Sequence, residues 1–245
     1  MIFCTERKIG IFFIPKCGSH TVFDIFKNLP IAHKKFLHVN YAAAVQAHDD
    51  ISDFSSYKFY AFYRDPVERF NSAFKFHKRS TYPAALAKFF PEDTTEVFKL
   101  IRQEKYNRLL HLDRRHDDEY SWLPQDIKDK LESITVQQML SLHPGENPDI
   151  KIFGSGIIKS PISLVHQKFW FDHDIDISYL NFSNFDSEIR GLASLFGINL
   201  ETVNHLNEGI SIENERQLTT EEIDLIKTAY QADYDFFASK GITFP

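Results

Sequence analysis

Lys16, Ser19 and Thr21 lie together in the run Lys16-Cys17-Gly18-Ser19-His20-Thr21, which contains no acidic residue. A lysine ammonium beside hydroxyls and small residues forms a set of donors suited to an oxyanion. Lys16 supplies a full charge, Ser19 and Thr21 supply O–H groups, and a tight turn supplies backbone N–H groups. A second set is Arg64 with Ser72. Arginine offers a planar pair of donors and serine a hydroxyl, so the two can converge on one phosphate.

Both sets need the same kind of scaffold. Residues 11–14, Ile-Phe-Phe-Ile, form a short β-branched and aromatic run, which predicts a buried strand that Pro15 stops. After the polar turn, Val22, Phe23, Ile25, Phe26 and Leu29 fall on one helical face. Strand, small-residue loop and helix aim backbone N–H groups and a helix N-terminus at one spot, where phosphate-like anions bind. Residues 58–63 predict another strand, with Arg64 at its C-terminal end, Asp65 placed as an N-cap and Pro66 in the first turn of a helix. Val67, Phe70, Ala73, Phe74 and His77 give that helix its stripe.

The first loop is not the usual nucleotide-triphosphate loop, whose lysine closes the motif. Here Lys16 opens it. Proline-lysine-x-glycine-serine-x-threonine after a strand resembles the 5′-phosphosulfate loop of sulfotransferases that use 3′-phosphoadenosine 5′-phosphosulfate (PAPS). Arg64-Asp65-Pro66 with Arg69 and Ser72 resembles the 3′-phosphate motif of the carbohydrate, Golgi-type sulfotransferases and their soluble bacterial relatives. Two motifs in the right order, each on a strand-to-helix junction, are more specific than either alone. The resemblance implies an α/β, P-loop-NTPase-like three-layer fold with a central, mainly parallel sheet flanked by helices. It implies one such domain over residues 1–245. It further implies that Lys16, Cys17, Gly18, Ser19, His20 and Thr21 hold the 5′-phosphosulfate and that Arg64 and Ser72 hold the 3′-phosphate. Residues 38–43 resemble a histidine segment of the soluble relatives, although Asn40-Tyr41 depart from its commoner threonine or serine. This makes His38 the candidate general base, since a neutral imidazole takes a proton from an alcohol near pH 7. His48, His166 and an unassigned carboxylate are its rivals. His20 also departs from the family, which usually has threonine or serine there. Leu164-Val165-His166-Gln167 loosely resembles a segment near the acceptor pocket. The tail, with Tyr230, Asp233 and Tyr234, resembles the family's C-terminal segment.

The remainder reads as framework. Residues 94–112 predict an amphipathic helix capped by Thr94, and residues 125–142 another. Residues 111–119, rich in His and Asp, have the irregular spacing of a solvated loop rather than a metal site. Phe169 and Trp170 suit either a stacking wall or the core. Residues 175–182 predict a late strand, and residues 185–196 a helix stopped by Gly197. A last helix opens at Thr219 with Glu222 as a capping box, and Ile223, Ile226, Tyr230, Tyr234 and Phe237 are its stripe.

The net charge of −6 argues against broad binding of nucleic acid. Two cysteines without metal-like spacing make no disulfide framework and suit a reducing cytoplasm. Residues 1–8 lack a secretory pattern, and no run is long enough to span a bilayer. Together with these features the resemblance implies a cytoplasmic enzyme that moves a sulfuryl group from PAPS to a hydroxyl acceptor, a carbohydrate or glycoconjugate, without a metal. A P-loop kinase or NTPase and a non-catalytic nucleotide-binding protein remain as alternatives; magnesium dependence separates the first of these, and binding without transfer the second.

Overall fold

A computed structural model of the chain describes residues 1–26, 53–79, 89–90, 92, 124–143, 162–171, 175–203 and 217–245. Four strands form one open sheet in the order β1-β2-β3-β4. β1 (Ile2–Cys4) runs antiparallel to β2 (Ile9–Phe12), with Ile2 opposite Ile11. β3 (Lys58–Tyr63) lies parallel to β2, and β4 (Ile177–Asn181) parallel to β3. β2 is buried over Gly10, Ile11 and Phe12, and aromatic β3 buries Phe59, Ala61 and Phe62 while Tyr60 and Tyr63 are half-buried and Lys58 is exposed. Gly10 stands opposite Phe59, and a Cβ there would lie 2.4 Å from the Phe59 ring. The missing side chain makes room for that ring.

Helices cover both faces. α1 (Ser19–Phe26) follows β2 and α2 (Pro66–Arg79) follows β3. α3 (Gln125–Ser133), α4 (Val136–Leu140) and the short α5 (Lys168–Phe171) come next. α6 (Phe185–Leu195) follows β4, and α7 (Thr220–Ala229) and α8 (Gln231–Ser239) complete the described elements. Successive strand residues point to opposite faces. Phe62 accordingly meets Phe185 of α6 at 4.6 Å between ring centroids, while its neighbour Tyr63 meets Phe237 of α8 at 5.3 Å. Phe26 of α1 packs on Phe196 just beyond α6 at 5.1 Å. Of the two residues that suited a wall or the core, Trp170 is fully buried in the core and Phe169 is half-buried against it. A second apolar cluster joins Phe70, Ala73 and Phe74 of α2 to Ile127, Leu131, Val136, Met139, Ile226 and Tyr230.

Two predicted helices are each broken in two. Residues 125–142 divide at Ile134, whose ψ of 123° is extended, and Thr135 starts a fresh helix. Its hydroxyl accepts from the Gln138 N–H at 3.2 Å, and the Gln138 side chain accepts from the Thr135 N–H at 2.8 Å. That reciprocal cap stabilises a new start better than continuation would. The last helix divides at Tyr230, with φ −106° and ψ 18°. The turn swings Asp233 toward residues 167 and 168. The Thr219–Glu222 capping box forms as predicted. The predicted strand 58–63 matches β3, and Gly197 ends α6 at φ 73°. The helix predicted over residues 94–112, the segment 111–119, His38 and His48 lie outside the described residues. Among the described residues, no helix is long and apolar enough to cross a membrane.

Candidate anion site

Parallel pairing places the C-terminal ends of β2 and β3 at the same edge, with Phe12 beside Ala61. The chain leaves β2 through Pro15 into a tight turn, closed by the Cys17 N–H donating to the Ile14 carbonyl at 3.2 Å. Lys16 takes φ 67° and Gly18 takes φ 71°, both in the left-handed region. Gly18 is required twice over: the conformation favours glycine, and a Cβ would lie 2.5 Å from the Phe185 ring. α1 then begins, with the Val22 N–H donating to the Gly18 carbonyl at 3.0 Å. The first N–H groups of any helix have no acceptor within it, so the loop and the start of α1 present donors together.

The neighbouring strand delivers Arg64. Asp65 caps α2 by accepting the Glu68 N–H at 3.0 Å, and its other carboxylate oxygen accepts from the Tyr234 hydroxyl at 3.3 Å. The Arg64 guanidinium lies 4.6 Å from the Phe182 ring centroid and donates from Nε to exposed Glu68 at 3.2 Å. Lys16 crosses to α2 and rests its ammonium 4.3 Å from the Phe76 ring centroid. Ser72 is one helical turn before Phe76 and shares its face. Lys16, Arg64 and the Ser72 face of α2 therefore border one edge. Burial pulls the Lys16 ammonium down to about 8, helped by the like charges of Arg64 and then Arg69.

The remaining predicted loop residues differ in their surroundings. Ser19 and Thr21 are buried, and His20 faces solvent. Cys17 turns into the core, where burial pushes its thiol up to about 11 and S–H donates to Gln167 Oε1 at 3.5 Å. Such a thiol is an inert filler. His166 is a core residue. Its ring lies 4.4 Å from that of His143 and 5.3 Å from that of Tyr230, and its Nδ1 is 3.6 Å from Asp233 Oδ1.

Sequence reasoning missed what holds this edge together. The Gln167 side chain grips the Arg64 peptide on both sides: its Nε2 donates to the Arg64 carbonyl at 2.7 Å, and its Oε1 accepts the Arg64 N–H at 3.0 Å. Oε1 also takes the Cys17 thiol, so one amide joins both loops. Gln167 is itself fixed by Asp233, whose carboxylate accepts the Gln167 N–H at 2.9 Å and the Lys168 N–H at 2.8 Å. Gln167 stood out only through a loose family resemblance, and nothing local revealed a brace across 103 positions. Arg69, the second arginine of the Arg64-Asp65-Pro66 motif, lies fully buried and donates from Nε to the Pro15 carbonyl. Among the described residues, no group of three or more His, Cys, Asp or Glu side chains is arranged to hold a metal ion.

Fold and site define an α/β protein whose open, mostly parallel sheet gathers cations at one strand edge. No family model, curated protein or solved structure matches the chain.

Proposed function

We propose that the protein is a PAPS-dependent sulfotransferase on a P-loop-NTPase-like sheet, acting on a hydroxyl of a carbohydrate or glycoconjugate. The observation that carries this reading is the arrangement of Lys16 and Arg64. They stand beyond the ends of adjacent parallel strands beside the start of α1, and among the described residues Lys16 rests on an aromatic face with no carboxylate paired to it. Arg64 and Ser72 would hold a 3′-phosphate, which distinguishes PAPS from ATP. The loop amides and Lys16 would hold the 5′-phosphosulfate.

In the reaction an acceptor oxygen bonds to sulfur as the bond from sulfur to the bridging phosphate oxygen breaks. The acceptor's proton passes to a base, for which His38 is the candidate. Charge grows on the bridging oxygen, and Lys16 would neutralise it. Adenosine 3′,5′-bisphosphate is the probe for the donor site. Calorimetry should show tight, magnesium-independent binding in preference to ADP and ATP. Arg64→Ala should weaken it by ~1.5–3 kcal/mol, the scale of a charged hydrogen bond. Preference for magnesium-ATP would favour a kinase. Binding of the bisphosphate without transfer from PAPS to any acceptor would favour a non-catalytic protein.

A further inference from the structure

We propose that Arg69 is a third cation of this site, a positioning residue that acts on a bound anion from behind the loop without touching it. The inference deepens the reading above and rests on the loop being an anion site. Arg69 is 0% exposed. Its Nε donates to the Pro15 carbonyl at 3.0 Å, the peptide that leads into Lys16. Neither Nη nitrogen has a hydrogen-bond partner; Cys17 lies close enough to interact but satisfies neither. Among the described residues, no carboxylate forms an ion pair with it. The buried acid of the same region, Asp233, is already engaged by the 167 and 168 amides and by proximity to His166.

A buried charge with no counter-ion in contact is costly, and Asp233, whose oxygens are taken by the 167 and 168 amides, offsets Arg69 only without contact. The charge on Arg69 needs a compensating group. The loop above it is where a negative group would sit, and across a dry turn the attraction is weakly screened. Arg69 thus contributes a fixed positive potential, while its Nε bond sets the peptide before Lys16. Lys16 and Arg64 are left to make the contacts.

The test measures dissociation constants for inorganic phosphate and for adenosine 3′,5′-bisphosphate, by calorimetry and by the ligand-induced rise in melting temperature. It compares wild type, Arg69→Met, Arg69→Gln and Arg69→Lys. Methionine keeps the volume without charge, glutamine keeps an N–H donor without charge, and lysine keeps the charge without the fork. The expected result is at least tenfold weaker binding of both ligands to the two neutral variants, with their circular dichroism unchanged, and recovery to within about threefold in the lysine variant. Should the methionine variant not fold, glutamine decides alone. Wild-type affinity in a folded neutral variant would overturn the proposal. A lysine variant as weak as the neutral ones would also overturn it, by assigning the effect to the fork's geometry. If wild type binds phosphate without preferring the bisphosphate, the donor reading fails while Arg69 is still judged on phosphate. If wild type binds neither, both fail.

Discussion

Lys16 sits in a left-handed backbone conformation that costs a side-chain-bearing residue about 1–3 kcal/mol. Strain of that size at a cation beside a helix start is spent on aim. The same residue gives a pH signature. Its folded-state value of about 8 lies below the ordinary 10.5, so the unfolded chain binds more protons between the two. Stability contributed by Lys16 therefore rises as pH climbs from about 8 to 10.5, while anion affinity falls as the ammonium is lost. Calorimetry of adenosine 3′,5′-bisphosphate binding at pH 7 and 9 should show weaker binding at the higher pH, and Lys16→Met should abolish that difference. Equal affinity at both would remove Lys16 from the contact set. Lys16, Arg64 and the Asp65 cap were legible because each depends on near neighbours in the chain. Arg69 was not, because an arginine within an amphipathic helix looks alike whether it faces water or lies under a loop.

At the scale of elements, the brace from α5 decides how the strand ends are held. Gln167→Leu would leave the Arg64 N–H and carbonyl without partners, at a cost of about 2–4 kcal/mol. A lower urea midpoint with an unchanged denaturant slope, together with weaker binding of the bisphosphate, is the expected outcome. A variant that bound normally would show that the brace is dispensable. The break between α3 and α4 belongs here too. Thr135 and Gln138 spelled a capping box, but apolar periodicity running through Ile134 hid it. Thr135→Ala should cost about 1 kcal/mol in equilibrium unfolding. The strand-loop-helix units could be read because hydrophobic period and turn chemistry agree over short spans. The turn at Tyr230 answers to a partner elsewhere in the fold, the amides of residues 167 and 168, and no local pattern encodes that.

Over the whole molecule, an aromatic sheet is wedged between helices on both faces, and Phe237 is central to one of them. It is fully buried and packs against Phe171 at 5.9 Å and Phe244 at 5.4 Å, as well as Tyr63. Phe237→Ala should destabilise by about 3–5 kcal/mol in chemical unfolding. The second cluster reports on acid. Burial, then His166, holds His143 down to about 4. Below its ordinary 6.5 the unfolded chain takes up a proton that the fold resists, so stability falls as pH drops from about 6.5 to 4. His143→Phe should flatten that part of the stability curve. The mainly parallel direction of the strands was an expectation from the family resemblance, and strand order depends on crossovers that sequence periodicity does not encode. The brace also has a temporal consequence. Gln167 holds the Arg64 peptide, and Asp233 of α8 holds Gln167, so the final shape of the Arg64 turn depends on α8 being docked. In the order of synthesis residues 16 and 64 emerge long before residue 233, so the Asp233 contacts that hold Gln167 can form only once that late segment has been made.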